Sequence, residues 1–278
     1  GHETTFKQIA STRLGVPIEV LEYIQADTER VAIGFGHGGA RSMHMGAGTM
    51  ALAIDSAIEK ASRVAATLLQ TDIEELSFDK GAFLTSKDQR SVSIIEVASA
   101  ARNSDVMPSL GENGIDTFYK REEAPFTFPN GCHAAEVEID PDTGSLKLVD
   151  YVMVDDYGTL VNSALTEGQL HGGVVQGIGQ ALEEFVAFDP ESGQLLSGSL
   201  MDYTAPRAAS FPFFKAHFQG VPTEANLLGV KGVGQAGCIA APQVITHAVL
   251  NALQDYNIDH IQMPITSQSL WRSIQAAS

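Results

Sequence analysis

Residues 229–243 read Gly229-Val-Lys-Gly-Val-Gly-Gln-Ala-Gly-Cys-Ile-Ala-Ala-Pro-Gln243. Three glycines, Gly232, Gly234 and Gly237, follow an apolar segment and precede a helical pattern. A loop of this kind presents backbone N–H groups beside a helix N-terminus, and such an arrangement binds anions. Gln235, whose side chain forms hydrogen bonds but does not ionise, stands in the middle of the loop. The stretch therefore predicts an anion-binding loop whose chemistry depends on residue 235.

The composition limits the classes of function that fit the chain. Its 278 residues are 44% hydrophobic, which is enough apolar material for a large core, and its net charge is −17. Binding to a phosphate backbone or to an anionic membrane surface requires basic residues, so this net charge disfavours nucleic acid and anionic membrane surfaces as partners. We find no run of about 18 apolar residues that would indicate a membrane span.

Cysteine usage favours a reducing compartment, and the sequence predicts a cytoplasmic protein. Only Cys132 and Cys238 occur, and they do not have the spacing of a disulfide framework or of a zinc or iron–sulfur site. The eight histidines are scattered, so we expect no metal ion held by side chains. The sequence begins at Gly1-His2-Glu3 without Met. We expect a subunit, a processed chain or a piece of a longer protein.

Hydrophobic periodicity predicts a mixture of helices and strands without strict βαβ alternation, which is typical of the α+β class. In the first half we expect helices over residues 5–14, 49–70 and 93–102, strands over 20–26 and 73–78, and a loop over 33–48. In the second half we expect a hairpin over 134–154, a helical stretch over 162–188, a hairpin turn at 189–193, and a helix over 239–254 with Pro242 in its first turn.

The polar segment 103–130 carries several prolines and glycines and is the best internal boundary. We therefore predict two α+β lobes. Residues 1–115 form the first lobe, with glycine-rich loops that could bind a cofactor. Residues 116–278 form the second lobe, with two hairpins and the glycine-rich loop 229–237.

The spacing Gly232-x-Gly234-x-x-Gly237 also matches a dinucleotide-binding fingerprint, which leaves an NAD-dependent dehydrogenase open as an alternative. That fold places an acidic residue at the end of the next strand, whereas Asp255 follows a predicted helix. Glycines also cluster near residues 1, 36–42 and 168–179. They indicate either close helix packing or a backbone that wraps an extended phosphate-bearing cofactor.

Several motifs together resemble the molybdopterin-binding large subunit of the molybdenum hydroxylases, the family of xanthine dehydrogenase, aldehyde oxidase and aerobic carbon monoxide dehydrogenase. The resemblance covers essentially the whole chain and corresponds to the C-terminal half of that subunit. The motifs are Gly1-His-Glu-Thr-Thr5, Gly39-Ala-Arg-Ser42, Val154-Asp-Asp-Tyr-Gly-Thr-Leu-Val-Asn162, Glu167-Gly-Gln-Leu-His-Gly-Gly173, Met201-Asp-Tyr-x-x-Pro-Arg207, Lys231-Gly-Val-Gly-Gln235 and Met263-Pro264 with Trp271.

The resemblance implies a two-lobed fold that clasps a molybdenum cofactor, molybdopterin in its cytosine dinucleotide form. It further implies that FAD and [2Fe-2S] clusters lie on partner subunits and that the N-terminal half of the molybdopterin subunit is a further partner. The cofactor-binding residues that it implies are Gly1, His2, Thr5, Gly39, Ala40, Arg41, Ser42, Asp155, Asn162, Gln169, Lys231, Gly232, Val233 and Gly234.

The resemblance also places Gln235 where the family has its catalytic glutamate. In the family that carboxylate takes a proton from a hydroxyl on molybdenum. The reaction oxidatively hydroxylates an aldehyde, a purine or an N-heterocycle, or oxidises carbon monoxide, with water as the oxygen source. A glutamine is not a base near neutral pH. Three interpretations stay open: a natural variant that does not need this base, an engineered isosteric replacement, or a catalytically silent cofactor-binding or assembly module.

Overall fold

The computed structural model describes residues 1–34, 36–103, 114–121 and 125–277. Helices and strands are mixed along the chain, so the predicted α+β class is confirmed. The residues form two units. Unit 1 contains Gly1–Thr127 and Pro222–Val230, and unit 2 contains Phe128–Val221 and Lys231–Ser278. The lobe boundary at residues 115/116 stays a prediction, because parts of segment 103–130 lie outside the described residues.

In its described residues, unit 1 consists of three α-helices and one small antiparallel sheet. The sheet has the strand order β1-β2-β3, and Leu76 pairs with Thr85 at one end of its first ladder. The elements are α1 (His2–Leu14), a π-helical turn (Ser42–Ala47) that continues into α2 (Gly48–Leu69), β1 (Leu76–Asp79), β2 (Ala82–Thr85), β3 (Ser91–Ser93) and α3 (Ile94–Ala101), with 3-10 turns at Ile18–Val20 and Ile73–Glu75.

Local sequence signals explain where two of these helices begin and end. Gly15 adopts a left-handed conformation (φ 65°) immediately after α1, a conformation in which a side chain would be strained. Ser93 caps α3, and the side chain of Glu96 in turn accepts a hydrogen bond from the Ser93 backbone, which completes a capping box. The core of unit 1 forms where one apolar face of α2 meets the sheet and α3, and it includes Ala61, Val64, Ala65, Phe83, Ile94, Val97 and Ala101.

Two predictions for this region are wrong. The strand expected over residues 20–26 is absent, since Ile18–Val20 form a 3-10 turn and residues 21–26 pair with no strand in the described part of the chain. The loop expected over residues 33–48 ends early, because Ser42–Ala47 are π-helical and lead directly into α2. Alternating hydrophobicity alone does not make a strand when no neighbouring strand supplies hydrogen bonds.

Unit 2 contains a mixed sheet covered by helices. The strand order is β4-β5-β6, with β4 and β5 antiparallel and β5 and β6 parallel. The elements are β4 (Asn130–Ile139), β5 (Leu146–Asp156), α4 (Ser163–Leu182), β6 (Lys215–Phe218), α5 (Ala236–Ala252) and α6 (Ser267–Ala277), with 3-10 turns at Ala208–Ser210 and Gln254–Tyr256.

The predicted hairpin over 134–154 is confirmed as β4 and β5, and the turn at 189–193 is confirmed as well. In the first turn Gly144 N donates to Asp140 O at 2.8 Å, and in the second Gly193 N donates to Asp189 O at 2.9 Å. Both turns have the form Asp-Pro-x-x-Gly, so the same local sequence gives the same local bonding. The core of unit 2 includes Tyr151, Met153, Leu170, Val174, Ile178, Ala241, Ile245 and Leu270.

Helices α4 and α5 approach each other so closely that their backbones are in contact. A Cβ at Gly237 would lie 2.6 Å from Leu170 O, and a Cβ at Gly177 would lie 2.8 Å from Ala241 Cβ. Such distances leave no room for a side chain, so these glycines serve packing. The predicted position of Pro242 in the first turn is wrong, because α5 begins at Ala236 and Pro242 lies inside the helix.

In the described part of the chain, no helix combines the length and the apolar character that crossing a membrane would require.

Candidate functional site

The two predicted segments of unit 1 come together at the start of α1. The rings of His2 and His37 lie 5.9 Å apart, and His37 Nδ1 lies 2.6 Å from Ser42 Oγ. Arg41 donates from Nε and Nη2 to Gly36 O at 3.3 and 3.1 Å, so the guanidinium ties its own loop together. This segment therefore holds the sequence-predicted residues His2, Arg41 and Ser42 as neighbours.

Glycines keep the 36–42 loop open. Gly39 and Ala40 both have positive φ values, 59° and 55°, and a side chain at Gly39 would meet no atom within 4 Å. Ala40 pays a conformational cost for this backbone, because a non-glycine residue seldom adopts it. Of the remaining predicted residues in unit 1, Gly1 precedes α1 as its N-cap residue, and Thr5 donates its hydroxyl to Gly1 O at 3.0 Å.

The π-helical turn that follows carries a buried histidine. His44 is 3% exposed, and its Nδ1 has no hydrogen-bond partner. Burial, together with the positive charge of Arg121, lowers the pKa of His44. Because π-helical turns are rare and are often found at functional sites, this turn is a feature of interest that the sequence patterns did not indicate.

In unit 2 the structure brings Gln169 on α4 beside the glycine-rich loop 231–235. Gln169 is exposed, and its Nε2 lies 3.8 Å from the position that a Cβ would take on Gly234. Gly234 and Gln235 are also exposed, and Gln235 is the N-cap residue of α5 without a capping bond from its side chain. Gln169, Gly234 and Gln235 thus share one exposed region at the N-terminus of a 17-residue helix.

The remaining residues of the loop are more enclosed. Gly232 is buried, Val233 is partly buried, and Val233 O accepts a hydrogen bond from Ala236 N at 3.0 Å. The backbone N–H of Lys231 donates to Tyr157 O at 2.9 Å. The loop is therefore anchored at both ends and exposed only at Gly234 and Gln235.

Four of the five glycines of α4 divide into two groups, and the fifth, Gly179, packs against Pro206 and Glu184. Gly173 and Gly177 contact α5 and serve packing, whereas side chains at Gly168 and Gly172 would meet no atom within 4 Å. Glycine inside a helix costs about 0.5–1 kcal/mol relative to alanine. Nothing within unit 2 requires glycine at these two open positions on packing grounds, and a helix surface without side chains allows a ligand to approach the backbone closely.

Asp155 is buried in unit 2, where its side chain pairs with His133. Along β5 the core-facing positions are Tyr151, Met153 and Asp155, since side chains alternate between the two faces of a strand. His133 Nε2 lies 3.1 Å from both carboxylate oxygens of Asp155, and a hydrogen bond of 3.0 Å joins His133 Nδ1 and the Tyr151 hydroxyl. A Cβ at Gly131 would lie 1.9 Å from Asp155 Oδ1, so the carboxylate fits only because residue 131 is glycine.

The carboxylate of Asp155 changes the pKa of two neighbouring tyrosines, Tyr151 and Tyr157. Burial and the charge of Asp155 raise the pKa of both Tyr151 and Tyr157 above the usual value. Asn162 likewise has a structural contact, because its side chain accepts a hydrogen bond from Leu165 N at 3.0 Å and caps α4.

The neighbouring residue, Asp156, makes the contact with the loop that the sequence analysis missed. Its Oδ2 accepts a hydrogen bond from Lys231 Nζ at 2.5 Å, and its Oδ1 accepts from Gly158 N at 2.8 Å and from Val221 N at 2.9 Å. Burial alone would raise the pKa of Asp156, but the hydrogen bonds from Lys231, Val221 and Gly158 and the charge of Lys231 lower it to about 2. The signal was available, since Asp156-Tyr157-Gly158 fits the Asp-x-Gly frame of the motif.

Side chains that typically bind metal do not gather in the described residues: no group of three or more His, Cys, Asp or Glu is placed to hold a metal ion. The exposed region of unit 2 offers a ligand the open glycines of α4, the backbone at Gly234 and the amide side chains of Gln169 and Gln235.

The chain is similar to other proteins along nearly all of its length. The carbon monoxide dehydrogenase large chain of Hydrogenophaga pseudoflava is 31% identical over 99% of this chain and 34% of its own length. The nicotine 6-hydroxylase large subunit of Paenarthrobacter nicotinovorans is 33% identical over 98% of this chain and 34% of its own length. A solved structure of reconstituted carbon monoxide dehydrogenase from Oligotropha carboxidovorans superimposes with a TM-score of 0.91 at 29% identity, covering 99% of this chain and 34% of that chain.

The chain thus spans about a third of the length of the curated relatives it matches. A family sequence model described as the molybdopterin cofactor-binding domain matches residues 1–212. This match confirms the predicted resemblance to the large subunit of the molybdenum hydroxylases, and the chain belongs to the molybdopterin cofactor-binding domain family.

Proposed function

We propose that this chain is part of the molybdopterin-binding large subunit of a molybdenum-dependent oxidoreductase. The observation that carries the proposal is the exposed region formed by Gln169, Gly234 and Gln235, with the open glycines 168 and 172 on the same helix as Gln169. These features suit a cofactor that is held by backbone and amide hydrogen bonds, and the family match over residues 1–212 supports that cofactor.

The residues present fit a molybdenum cofactor. In unit 1 we assign cofactor binding to His2, Thr5, Arg41, Ser42 and the open backbone of Gly1, Gly39 and Ala40. In unit 2 we assign it to Gln169 and to the backbone of Lys231, Gly232, Val233 and Gly234. When bound, this cofactor supplies the redox chemistry of hydroxylation with water as the oxygen source. The cytosine dinucleotide form is part of the proposal.

Two of the predicted cofactor residues take a different role in this proposal. Asp155 is buried against His133, and Asn162 caps α4, so their side chains have structural partners. We assign them to holding the strand and the helix that carry the site.

In this proposal the amide of Gln235 orients the substrate by hydrogen bonds and does not act as a general base. Its side chain is exposed and does not cap α5, so its amide can donate and accept hydrogen bonds toward a substrate. Loss of a general base typically lowers a rate by roughly 10²- to 10⁴-fold. This residue is the specific reason for a second candidate function, a cofactor-binding or assembly module without turnover.

The substrate and the partners are proposals of the same kind. The relatives are named for carbon monoxide and nicotine, and one is the gamma subunit of a 6-hydroxypseudooxynicotine dehydrogenase complex. We propose a small-molecule substrate, an aldehyde, a purine, an N-heterocycle or carbon monoxide. The proposed partners are an FAD subunit, a [2Fe-2S] subunit and a polypeptide that corresponds to the N-terminal half of the molybdopterin subunit.

An NAD-dependent dehydrogenase gains no support from the fold. In the described residues α5 is followed by a 3-10 turn and α6, and Asp255 lies in that turn rather than at the end of a strand. A dinucleotide-binding fold requires a second strand after the helix that follows the glycine-rich loop.

Metal analysis and mass spectrometry of the released cofactor test the proposal on the longer protein that contains this chain. We expect stoichiometric molybdenum and a pterin nucleotide, and a preparation without either would overturn the proposal. Gln235→Glu then separates the two candidates. A gain in hydroxylation of roughly 10²-fold or more supports the enzyme, whereas a loaded variant without turnover on any of the substrate classes supports the silent module.

A further inference from the structure

Asp156 is bonded to three separate parts of unit 2. It ends β5, its Oδ1 accepts from the N–H groups of Gly158 and Val221, and its Oδ2 accepts from the ammonium of Lys231. The Asp156 and Lys231 side chains are only 16% and 11% exposed, so water competes weakly for these bonds. One carboxylate therefore satisfies donors from positions up to 75 residues away in sequence.

The two distant donors, Val221 and Lys231, flank segment 222–230, which belongs to unit 1. Val221 is the last residue of unit 2 before Pro222–Val230, which belong to unit 1, and Lys231 is the first residue after them. Lys231 is also the first residue of the glycine-rich loop, and Gln235 follows four positions later. The carboxylate thus fixes the point from which the loop begins.

Further contacts at this point are tight. The N–H of Gln219 donates to Asp155 O and the N–H of Lys231 donates to Tyr157 O, both at 2.9 Å. A Cβ at Gly220 would lie 2.2 Å from Gly158 O, so the two backbones touch. Among the described residues no comparable backbone contact restrains Gly234, which is exposed and whose glycine backbone has conformational freedom.

We propose that Asp156 is a positioning residue, which acts through Lys231 to hold residues 232–235 in the conformation that receives the cofactor. The identity of the ligand in this inference rests on the proposed function. The effect of Asp156 on the conformation of residues 232–235 does not depend on it. Hydrogen bonds to charged groups stabilise by more than neutral ones, so loss of the carboxylate has a large local effect.

Asp156→Asn tests this assignment because it keeps the size of the side chain. The Asn oxygen still accepts from Gly158 and Val221, while its NH₂ group faces the Lys231 ammonium, donor against donor. Asp150→Asn is the matched control, since Asp150 lies on the same strand and pairs with Lys215 at 2.5 Å on a more exposed surface.

The experiment measures amide hydrogen exchange and molybdenum content in the longer protein. We expect Asp156→Asn to accelerate exchange of the Lys231 and Ala236 amides, which are hydrogen-bonded at the two ends of the loop, by about tenfold or more. We also expect it to lower molybdenum content, while exchange in α6 and exchange in the control variant stay at wild-type values. A second variant, Lys231→Met, removes the other partner. We expect it to accelerate the same amides, and the double variant to exchange no faster than Asp156→Asn alone.

Unchanged exchange at Lys231 and Ala236 in Asp156→Asn would overturn the inference, as would a uniform acceleration through unit 2 that reports general unfolding. So would normal molybdenum content in a variant whose loop has loosened. A wild-type protein without molybdenum would contradict the proposed function, yet the exchange arm would still decide whether Asp156 holds the loop.

Discussion

The Nε2 of Gln169 lies 3.8 Å from the position that a Cβ would occupy on Gly234. This is an ordinary van der Waals distance, and φ of Gly234 is not in the left-handed region. The fold of unit 2 therefore has room for a methyl group at residue 234, and any requirement for glycine there comes from a ligand.

Gly234→Ala is expected to leave the free energy of unfolding within about 0.5 kcal/mol of wild type, as for surface substitutions in general. We expect it to lower molybdenum content, because the methyl group occupies space that the proposed cofactor site assigns to the ligand. Urea unfolding and metal analysis measure the two quantities. Gly198→Ala, at another exposed glycine whose nearest neighbour lies at 3.6 Å, is the control and is expected to change neither. Normal loading in Gly234→Ala would remove residue 234 from the site.

Gly172→Ala and Gly177→Ala form a matched pair on α4 with opposite expected effects. A side chain at Gly172 meets nothing, so alanine is expected to stabilise the chain by up to about 1 kcal/mol through helix propensity. At Gly177 alanine collides with Ala241 and Pro242, and overpacking is expected to cost about 1–3 kcal/mol. Urea unfolding decides both signs. A destabilising Gly172→Ala would show that this face of α4 is already packed.

The buried pair of His133 and Asp155 is expected to be sensitive to the loss of one partner. The two side chains are 2% and 4% exposed. His133→Leu leaves a carboxylate without its imidazole partner, which typically costs about 3–5 kcal/mol. The double variant His133→Leu with Asp155→Leu is expected to recover much of the free energy of unfolding that His133→Leu loses, because it removes the buried charge as well. If the single and double variants unfold at the same urea concentration, the pair is not coupled.

His44 is expected to make unit 1 less stable in mild acid. Burial lowers its pKa in the folded chain below the unfolded value of 6.5, so the unfolded chain binds the proton more tightly. Stability is then fully present above pH 6.5 and falls as the pH drops through 6.5 toward the lowered pKa. Urea unfolding of wild type and His44→Leu between pH 8 and pH 5 measures this difference. The exposed His37 provides the control His37→Asn, which is expected to keep the wild-type pH dependence.

The sequence predicted those parts of the fold that depend on local chemistry. The Asp-Pro-x-x-Gly turns at 140–144 and 189–193 form because an aspartate and a left-handed glycine set the same bonds wherever they occur. The loop 231–235 was identified correctly as the segment before a helix, since glycines followed by a helical pattern indicate both. These signals lie within a few residues of one another.

The features that the sequence did not reveal depend on distant residues. Asp155 and Asp156 are adjacent and chemically identical, and the choice between them depends on which face of β5 meets His133 and which meets Lys231. The π-helical turn at Ser42–Ala47 differs from the predicted loop because it continues α2, and no single residue type indicates such a turn. Hydrophobic periodicity indicates which residues share a face of a helix or strand, but it does not indicate which distant residues contact that face.

The return of Pro222–Val230 to unit 1 has a consequence for anyone who wishes to express either half by itself. If the chain were divided after Thr127, the N-terminal fragment would lack segment 222–230, which belongs to unit 1. The C-terminal fragment would carry that segment without the rest of unit 1. The two units alternate along the sequence, so neither can be exchanged between homologues as one continuous segment. A chimera that exchanges a unit would need three junctions, after residues 127, 221 and 230, whereas a simple fusion needs one.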